Sequence, residues 1–415
     1  MNRLLLKLTF FLLLAAFAFQ GHSETLVLNL EECLDSAYRL NGNMKAAAME
    51  IERAGLLKGT AFNPPKTSVA LKQETTGGGG PDNGVAFTQE FEFPTVYVER
   101  GKALKAQEEI ERSNYALLKS QIGGEIASQY NTLLYQQELL RLNEAIGAIY
   151  VRFHNLASTR YELGDCSALE KMNAGRMVES NSQEHFRLQT DYETEAMKMM
   201  TLTGCSAPVM PKDSIFAPLI FSPDSVTFIY DNTPAARLSD SEMALIERNT
   251  NVARHELLPD ITLGATVQAL IKSFNPYHIE RERFRQGNFM AFEVGISVPL
   301  FFGAQKAKIK ASEAELNIAR MRKETAETEA QNAYQLLLER LKKACQALEY
   351  YQTSALSQAE EIRRLADISY EYGEIDYMEY INNMETYYTV KREYVDAIQE
   401  YNQTILQINQ IIGTR

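Results

Sequence analysis

The feature that most constrains this fold is a six-residue turn sequence that occurs twice. Residues 160–165 and residues 369–374 share the pattern Tyr-x-x-Gly-acid, and the second copy begins half a chain length after the first. A strand-like alternation also ends in proline in each half, at Pro94 and at Pro299. A spacing of about 200 residues is far longer than the period of a solenoid repeat. These markers predict that the chain consists of two copies of one unit.

Each repeat is predicted to contain a helix, a β-hairpin, a very long helix, a glycine turn and a returning helix. The helices follow from apolar residues at helical spacing, and the strands follow from alternation. The predicted boundaries are, in chain order, a signal peptide at 1–23; a first repeat at 24–204, with helix 29–62, hairpin 66–94, long helix 95–162 and helix 168–202; an irregular equatorial linker at 205–238; and a second repeat at 239–415, with helix 240–257, hairpin 260–299, long helix 304–372 and helix 376–412.

The first residues have the three parts of a secretory signal peptide. Arg3 and Lys7 precede an apolar stretch at 8–19, and small residues follow at Gly21 and Ser23, the two positions that a signal peptidase reads. The whole chain has 42 Lys and Arg against 54 Asp and Glu, a net charge of −12. Nucleic-acid binding depends on basic patches, so this balance argues against a nucleic-acid partner. An acidic surface is typical of a soluble protein, or of a lumen that attracts cations.

No pattern in the sequence predicts catalysis, a cofactor or a metal site. The four cysteines are scattered without CxxC spacing, so they indicate neither a disulfide framework nor a zinc site. The histidines are equally dispersed, and neither a phosphate-binding glycine loop nor a nucleophile elbow is present. Met197, Met199 and Met200 form a cluster of soft ligands for Cu(I) or Ag(I), although adaptable packing is the commoner role for such methionines.

The strands have the length and alternation of transmembrane β-strands. Such strands have about 9–11 residues and one apolar face. Four strands cannot close a barrel, and an open sheet edge cannot face lipid. The strands of several chains are therefore predicted to form one barrel together. The alternative is a small soluble sandwich above a helical stalk. Residues predicted to face lipid or to form the interfacial girdle are Phe87, Phe91, Phe93, Tyr97, Phe292, Val294, Ile296, Phe301 and Phe302.

The long helices predict a coiled-coil tunnel or stalk. Each has a length of roughly 100 Å at 1.5 Å per residue, and uninterrupted helices of this length indicate coiled-coil packing. The fold class is therefore mostly α with a small β part: duplicated units of long antiparallel coiled-coil hairpins plus four transmembrane strands per chain. The strands are expected at one end and the two glycine turns at the other.

The chain resembles the TolC family of outer-membrane efflux factors over essentially its whole mature length. The resemblance lies in the duplicated turns, the strand-ending prolines and the opening residues 28–34. Residues 61–67 and 91–97 resemble members that serve heavy-metal efflux pumps of the Cus/Czc kind. This resemblance implies a homotrimer in which a 12-stranded outer-membrane barrel continues into an α-helical tunnel. Partners would be a periplasmic adaptor and an inner-membrane transporter. Many relatives carry a lipidated N-terminal cysteine, which this chain lacks.

The resemblance also assigns roles to residues at the two tips. Gly164 and Gly373 suit tight turns because glycine accepts a positive φ. Together with Tyr161 and Tyr370, they are expected to contact the adaptor. The family places an acid at the position of Glu379, lining the aperture, whereas its next acid is Asn382 here. A ring of carboxylates selects cations. The acids predicted to line the aperture are Glu379, Glu374, Asp376, Glu170 and Asp165.

Two other functions remain open at this point. A drug or protein-secretion exit duct of the same fold is compatible with every pattern described. A soluble periplasmic coiled-coil scaffold or adaptor is the alternative from a different class, and it would require neither lipid nor detergent. An enzyme has no supporting motif.

Overall fold

The computed structural model describes residues 25–75, 81–221, 228–268 and 290–413. The predicted signal peptide, part of the loop in the first hairpin and the loop between the strands of the second hairpin lie outside these residues. The chain forms two compact units. The helical unit comprises Met1–Ala46, Leu118–Thr233 and Glu329–Arg415, and the sheet unit comprises Ala47–Leu117 and Pro234–Thr328.

The elements follow the order that the repeat predicts. In chain order they are β1 (Leu26–Leu28), α1 (Leu30–Leu40), α2 (Gly42–Leu57), β2 (Ser68–Thr75), β3 (Pro81–Phe91), α3 (Pro94–Leu163), α4 (Ala168–Thr203), β4 (Val209–Pro211), α5 (Pro234–His255), β5 (Asp260–Gln268), β6 (Met290–Ser297), α6 (Gly303–Tyr350), a π-turn (Tyr351–Ala355), α7 (Leu356–Glu371) and α8 (Tyr377–Ile412). The mostly helical fold class with a small β part is confirmed. Among the described residues, no helix has an 18-residue stretch apolar enough to cross a membrane.

The sheet unit contains a four-stranded antiparallel sheet of order β2-β3-β5-β6. Its register aligns Val69, Phe87, Ala265 and Phe292 across all four strands. Because side chains alternate along a strand, this alignment collects apolar residues on one face. Where β3 pairs with β5, Gln89 is a polar member of this face, opposite Leu263. The apolar members of the face are Val69, Leu71, Val85, Phe87, Phe91, Ile261, Leu263, Ala265, Val267, Met290, Phe292, Val294 and Ile296.

The opposite face of the sheet carries small and polar residues. At its centre, a Cβ on Gly264 would lie 3.1 Å from the Cβ of Glu293, so glycine leaves room there for the glutamate. Further members of this face include Ser68, Ala70, Lys72, Ala86, Thr88, Glu90, Thr262, Thr266, Ala291, Gly295 and Ser297. The sheet therefore separates an apolar side from a polar side, as the strand alternation predicts.

The helix predicted at 29–62 is two helices, and this boundary prediction is corrected at Asn41. Asn41 leaves the helical conformation, with φ −58° and ψ 131°. Its Oδ1 accepts hydrogen bonds from the backbone N–H groups of Asn43 and Met44, at 2.8 and 3.3 Å. Asparagine thus caps the start of α2. The α-helical part then ends at Leu57, and a 3₁₀ turn follows at Lys58–Thr60.

The predicted linker at 205–238 also contains more structure than expected. Its residues 209–211 form β4, which pairs in parallel with β1, and α5 begins at Pro234 rather than at residue 240. Proline suits the first turn of a helix because its missing N–H would have no helical partner there. In the helical unit, Asn402 donates to the carbonyl of Ala217 and accepts from the N–H of Leu219, which holds this segment against α8.

The second long helix, predicted as continuous over 304–372, is interrupted by the π-turn. Its buried residues before the turn follow alternating steps of three and four positions, from Tyr334 to Leu348. Ala355 inside the turn still follows that rhythm, but burial then continues at Ala359 and Ala366 rather than at 358 and 365. The buried stripe therefore shifts by one position after Ala355, and a π-turn, whose hydrogen bonds span one residue more than those of an α-helix, lies at that place.

Candidate functional site

The two hairpin tips have the same backbone construction. Gly164 and Gly373 have φ values of 80° and 74°, in the left-handed region that favours glycine. The N–H that follows each glycine donates back to the carbonyl five residues earlier, from Asp165 to Arg160 and from Glu374 to Ser369, both at 2.8 Å. This is the Schellman ending of a helix. A Cβ on either glycine would meet no atom within 4 Å, so backbone conformation alone requires glycine.

Each returning helix starts with a side-chain cap three residues after the glycine. Ser167 Oγ accepts from the Glu170 N–H at 3.1 Å, and Asp376 Oδ1 accepts from the Glu379 N–H at 2.8 Å. Such caps satisfy N–H groups that have no partner within the helix. Asp376 was predicted only as an aperture acid, and its capping role was missed, although an Asp directly before a helical stripe is a recognisable N-cap signal.

The first tip places its acids beside a cation. Arg160 Nη1 lies 3.4 Å from Glu170 Oε1, and Arg160 Nη2 donates to the backbone carbonyl of Asp165 at 3.1 Å. Lys171 Nζ lies 5.0 Å from the centre of the Tyr161 ring. The Glu170 charge is therefore partly compensated within the chain, whereas the side chain of Asp165 is exposed.

The second tip has no such compensation. Ser369 occupies the position of Arg160, and its hydroxyl donates to Glu374 Oε2 at 3.1 Å. Glu374, Asp376 and Glu379 are exposed, and in the described part of the chain none of them forms an ion pair. The structure therefore brings three of the predicted aperture acids together at one tip, where they carry uncompensated negative charge.

The two tip tyrosines have different environments. Tyr161 is exposed, whereas Tyr370 is half-buried and packs against the rings of Tyr377 and Tyr380, with centroids at 5.5 and 4.8 Å. Burial raises the pKa of Tyr370, and the charge of Arg160 lowers it. Tyr372 is 78% exposed. Tyr372 stands directly before Gly373, and the exposed Leu163 stands directly before Gly164 in the first repeat. The repeated turn sequence could therefore have identified Tyr372 as a tip residue.

The predicted lipid-facing residues separate into an exposed group and a packed group. Phe87, Phe292, Val294, Ile296, Phe301 and Phe302 are exposed, whereas Phe91, Phe93 and Tyr97 are half-buried. Val69 and Leu71 were missed, and Leu71 is 88% exposed on the same apolar face. The signal was available, because residues 67–74 already have the pattern of a strand.

Tyr97 is held in place at the end of the sheet. Its hydroxyl accepts from the Glu92 N–H at 3.0 Å, and its ring packs on Phe62 with centroids 4.9 Å apart. The Arg100 guanidinium lies 5.6 Å from the centre of the Tyr97 ring and donates to both carboxylate oxygens of Glu92 at 2.7 Å. An aromatic ring with a satisfied hydroxyl beside a charged pair is typical of a residue at an apolar–polar boundary.

The three methionines Met197, Met199 and Met200 do not form one ligand site. Met199 is fully buried, Met197 is exposed and Met200 is half-buried, so they do not share one environment. In the ranges that the structure describes, no three His, Cys, Asp or Glu side chains are grouped so that they could hold a metal ion.

Comparisons with known proteins agree with this arrangement. Residues 236–414, which include all but the last residue of the second repeat, match the family model described as outer membrane efflux protein. A crystal structure of CusC has a TM-score of 0.71 at 13% identity and covers 96% of this chain and 95% of its own. The chain has the fold of an outer membrane channel. No curated protein sequence matches it.

Two further solved structures have the same fold. A membrane protein from Pseudomonas aeruginosa has a TM-score of 0.74 at 14% identity, with 94% of this chain and 92% of that chain covered. The CmeC outer membrane channel of Campylobacter jejuni has a TM-score of 0.71 at 14% identity, with 95% and 90% covered. Both alignments include the two repeats, so the similarity extends beyond the part that matches the family model.

Proposed function

We propose that this chain is a member of the TolC family and forms a homotrimeric exit duct in the outer membrane of a Gram-negative bacterium. The duct passively conducts substrate from the periplasm and an inner-membrane pump to the outside, without catalysis. The observation that carries this proposal is the four-stranded sheet with one predominantly apolar face. The family match of the second repeat and the fold shared with outer membrane channels support it.

The unpaired edges of the sheet favour a barrel that is built from the strands of several chains. β2 and β6 are the outer strands, so each presents one row of backbone N–H and C=O groups without a ladder partner in the described sheet. Lipid offers no hydrogen bonds to such groups. Pairing β6 of one chain with β2 of the next satisfies both edges. Three chains then contribute twelve strands to a barrel, with the apolar faces toward lipid and the small, polar faces toward the lumen.

The tips are proposed to form the periplasmic aperture and the adaptor contact. A three-fold arrangement brings together three copies of Glu374, Asp376 and Glu379, and a ring of carboxylates favours cations. Glu170 and Asp165 are proposed to contribute less to this negative field, because Arg160 pairs with Glu170 and donates to the backbone carbonyl of Asp165. The residues assigned to adaptor contact are Tyr161, Gly164, Tyr370 and Gly373, of which the glycines shape the turns and Tyr370 supports them from within.

Heavy-metal cations are the proposed substrate class. Two observations support this choice: the uncompensated acids of the second tip and the resemblance of residues 61–67 and 91–97 to members that serve heavy-metal pumps. A drug or a secreted protein is the alternative cargo of the same duct. A soluble periplasmic scaffold is the alternative from another class, and the apolar face of the sheet argues against it.

Conductance in planar lipid bilayers tests the proposal. The purified mature chain should insert from detergent and produce stepwise ion currents with a higher permeability for K⁺ than for Cl⁻. Disruption of the apolar face should abolish insertion, so the double substitution Phe292→Asp/Val294→Asp serves as the matched negative control. A mature chain that never produces channels, under conditions in which a known outer-membrane porin does, would contradict a role as a duct.

A further inference from the structure

A cavity of about 150 Å³ lies in the helical unit, at the place where α3, α4 and α8 meet. Helix α3 contributes Leu139, Leu142 and Ile146 to its walls, and α4 contributes Leu188. Leu139 and Leu188 are buried in one core cluster, whereas Leu142 and Ile146 are half-buried. Aliphatic side chains of the core therefore form one side of the cavity.

The fourth residue that α3 places at the cavity is polar. Asn143 is only 9% exposed, and within the described residues its Oδ1 is buried without a hydrogen-bond partner. Its Nδ2 donates to Asn181 Oδ1 on α4 at 3.0 Å. Because the oxygen and nitrogen of a carboxamide diverge from one carbon, this bond directs Oδ1 away from Asn181. The cavity therefore has one buried acceptor that no side chain of α4 satisfies.

Asn181 is held in a position from which it cannot satisfy that oxygen. Its Nδ2 donates to the backbone carbonyl of Asn143 at 3.5 Å. A Cβ on Gly147 would overlap the same Nδ2, so this glycine lets α4 approach α3 closely. A buried acceptor without a partner is costly. A hydrogen bond to Asn143 Oδ1 is therefore favourable for any donor that enters the cavity.

Helix α8 forms the other side of the cavity with Tyr388, Thr389 and Arg392. Tyr388 is half-buried, and burial is the main effect that raises the pKa of its hydroxyl. Thr389 is exposed, so small molecules have access from this side. Arg392 Nη1 lies 3.7 Å from Glu184 Oε1, and this carboxylate offsets the charge of the guanidinium. A neutral ligand therefore suits the cavity better than an anion.

We propose that this cavity binds a small neutral aromatic molecule with one hydrogen-bond donor, of the size and kind of phenol. A cavity of about 150 Å³ with aliphatic walls is large enough for benzene. The leucine and isoleucine side chains contact the ring, and the hydroxyl of the ligand donates to Asn143 Oδ1. The bound molecule contacts three helices at once, so it holds α3, α4 and α8 together.

Fluorine NMR on the full mature chain in detergent tests the site. The probe is 4-fluorophenol, and fluorobenzene is the matched probe of nearly the same size without a donor. Addition of the protein should broaden the 4-fluorophenol resonance in a saturable manner. One hydrogen bond is worth up to about tenfold in affinity. We therefore expect fluorobenzene to bind several-fold more weakly than 4-fluorophenol.

Two variants separate binding in the cavity from partition into the detergent micelle. Ile146→Phe fills the cavity with a larger side chain, so it should remove saturable binding of both probes and leave micelle partition unchanged. Asn143→Leu removes the acceptor at similar volume, so it should make the affinities of the two probes equal. Circular dichroism establishes that each variant retains the helical content of the parent. If a variant fails to fold, the preference of the parent for 4-fluorophenol still decides the outcome.

Three results would overturn the proposal. The first is equal saturable binding by the parent and by Ile146→Phe, which would place the probe elsewhere. The second is no saturable binding by the parent, which would mean that water alone satisfies Asn143. The third is a parent that binds fluorobenzene as tightly as 4-fluorophenol. Because the measurement does not depend on conductance, its failure leaves the proposed duct untouched, and a failure to conduct leaves this site untouched.

Discussion

Phe153 of α3 and Tyr377 of α8 stack with ring centroids 3.4 Å apart and planes inclined by 17°. This pair lies at the centre of a cluster that joins the first hairpin to the second near the tips. The Tyr150 hydroxyl also donates to Glu385 Oε1 across the same two helices, at 2.9 Å. The effect of disrupting this stacked pair therefore reports how strongly the two helical hairpins are joined near the tips.

Replacement of Phe153 by alanine should destabilise the helical unit by about 3–5 kcal/mol, the usual cost of removing a buried phenylalanine. Tyr377→Phe provides the matched control, because the Tyr377 hydroxyl is buried and has no hydrogen-bond partner within the described ranges. Removal of an unsatisfied polar atom is neutral or stabilising. Denaturant unfolding followed by tyrosine fluorescence measures both. Equal destabilisation by Tyr377→Phe and Phe153→Ala would contradict this account, because it would require a partner for the hydroxyl.

Substitution of alanine for Gly373 should strain the second tip. A residue with a Cβ costs about 1–2 kcal/mol in the left-handed conformation, and the open space around Gly373 offers no compensating contact. Gly55→Ala is the control, since Gly55 lies in helical conformation and an added methyl group there would meet nothing within 4 Å. That change should stabilise by about 0.5–1 kcal/mol. Thermal unfolding of the two variants should therefore shift in opposite directions.

Deletion of Thr353 should convert the π-turn into continuous α-helix. Because the turn absorbs one extra residue, the deletion keeps Leu348 before it and Ala359 after it on the same buried face. We expect a folded protein whose thermal unfolding temperature is close to that of the parent. Deletion of Thr389 from α8, which has no π-turn to absorb the change, should turn Ile398 and Ile405 away from the core. Equal damage from the two deletions would show that the π-turn does not absorb an inserted residue.

Neutralisation of the second tip should weaken cation selectivity more than neutralisation of the first. Glu379→Gln removes a charge that has no ion pair among the described residues, whereas Glu170→Gln removes one that already faces Arg160. Reversal potentials across a salt gradient in planar bilayers measure the ratio of K⁺ to Cl⁻ permeability. The ratio should fall for Glu379→Gln and change little for Glu170→Gln. Equal ratios in both variants and the parent would exclude Glu379 from the aperture.

Most of the architecture could be predicted from local sequence patterns. The duplicated turns located both tips because a left-handed residue after a helix calls for glycine, as at Gly164 and Gly373. Alternation located the four strands because one face must be apolar. These signals are local in the chain and have a single structural explanation.

The features that were missed depend on contacts between distant residues. Asn41 ends α1 because its side chain both caps α2 and bonds to Leu202, and no pattern near residue 41 reports that contact. The π-turn accompanies a shift of one position in the buried stripe between Leu348 and Ala359, which is visible only when the buried residues are known. The unequal environments of Tyr161 and Tyr370 likewise arise from packing against α8, since their local sequences are nearly the same.

The size of the detergent-extracted particle tests the central claim most directly. The mature chain should fractionate with outer membranes, require detergent for extraction and give a native mass, after subtraction of bound detergent, equal to three chains. A chain that remains in the soluble fraction and has the mass of a monomer in plain buffer would contradict a sheet that is completed only by neighbouring copies.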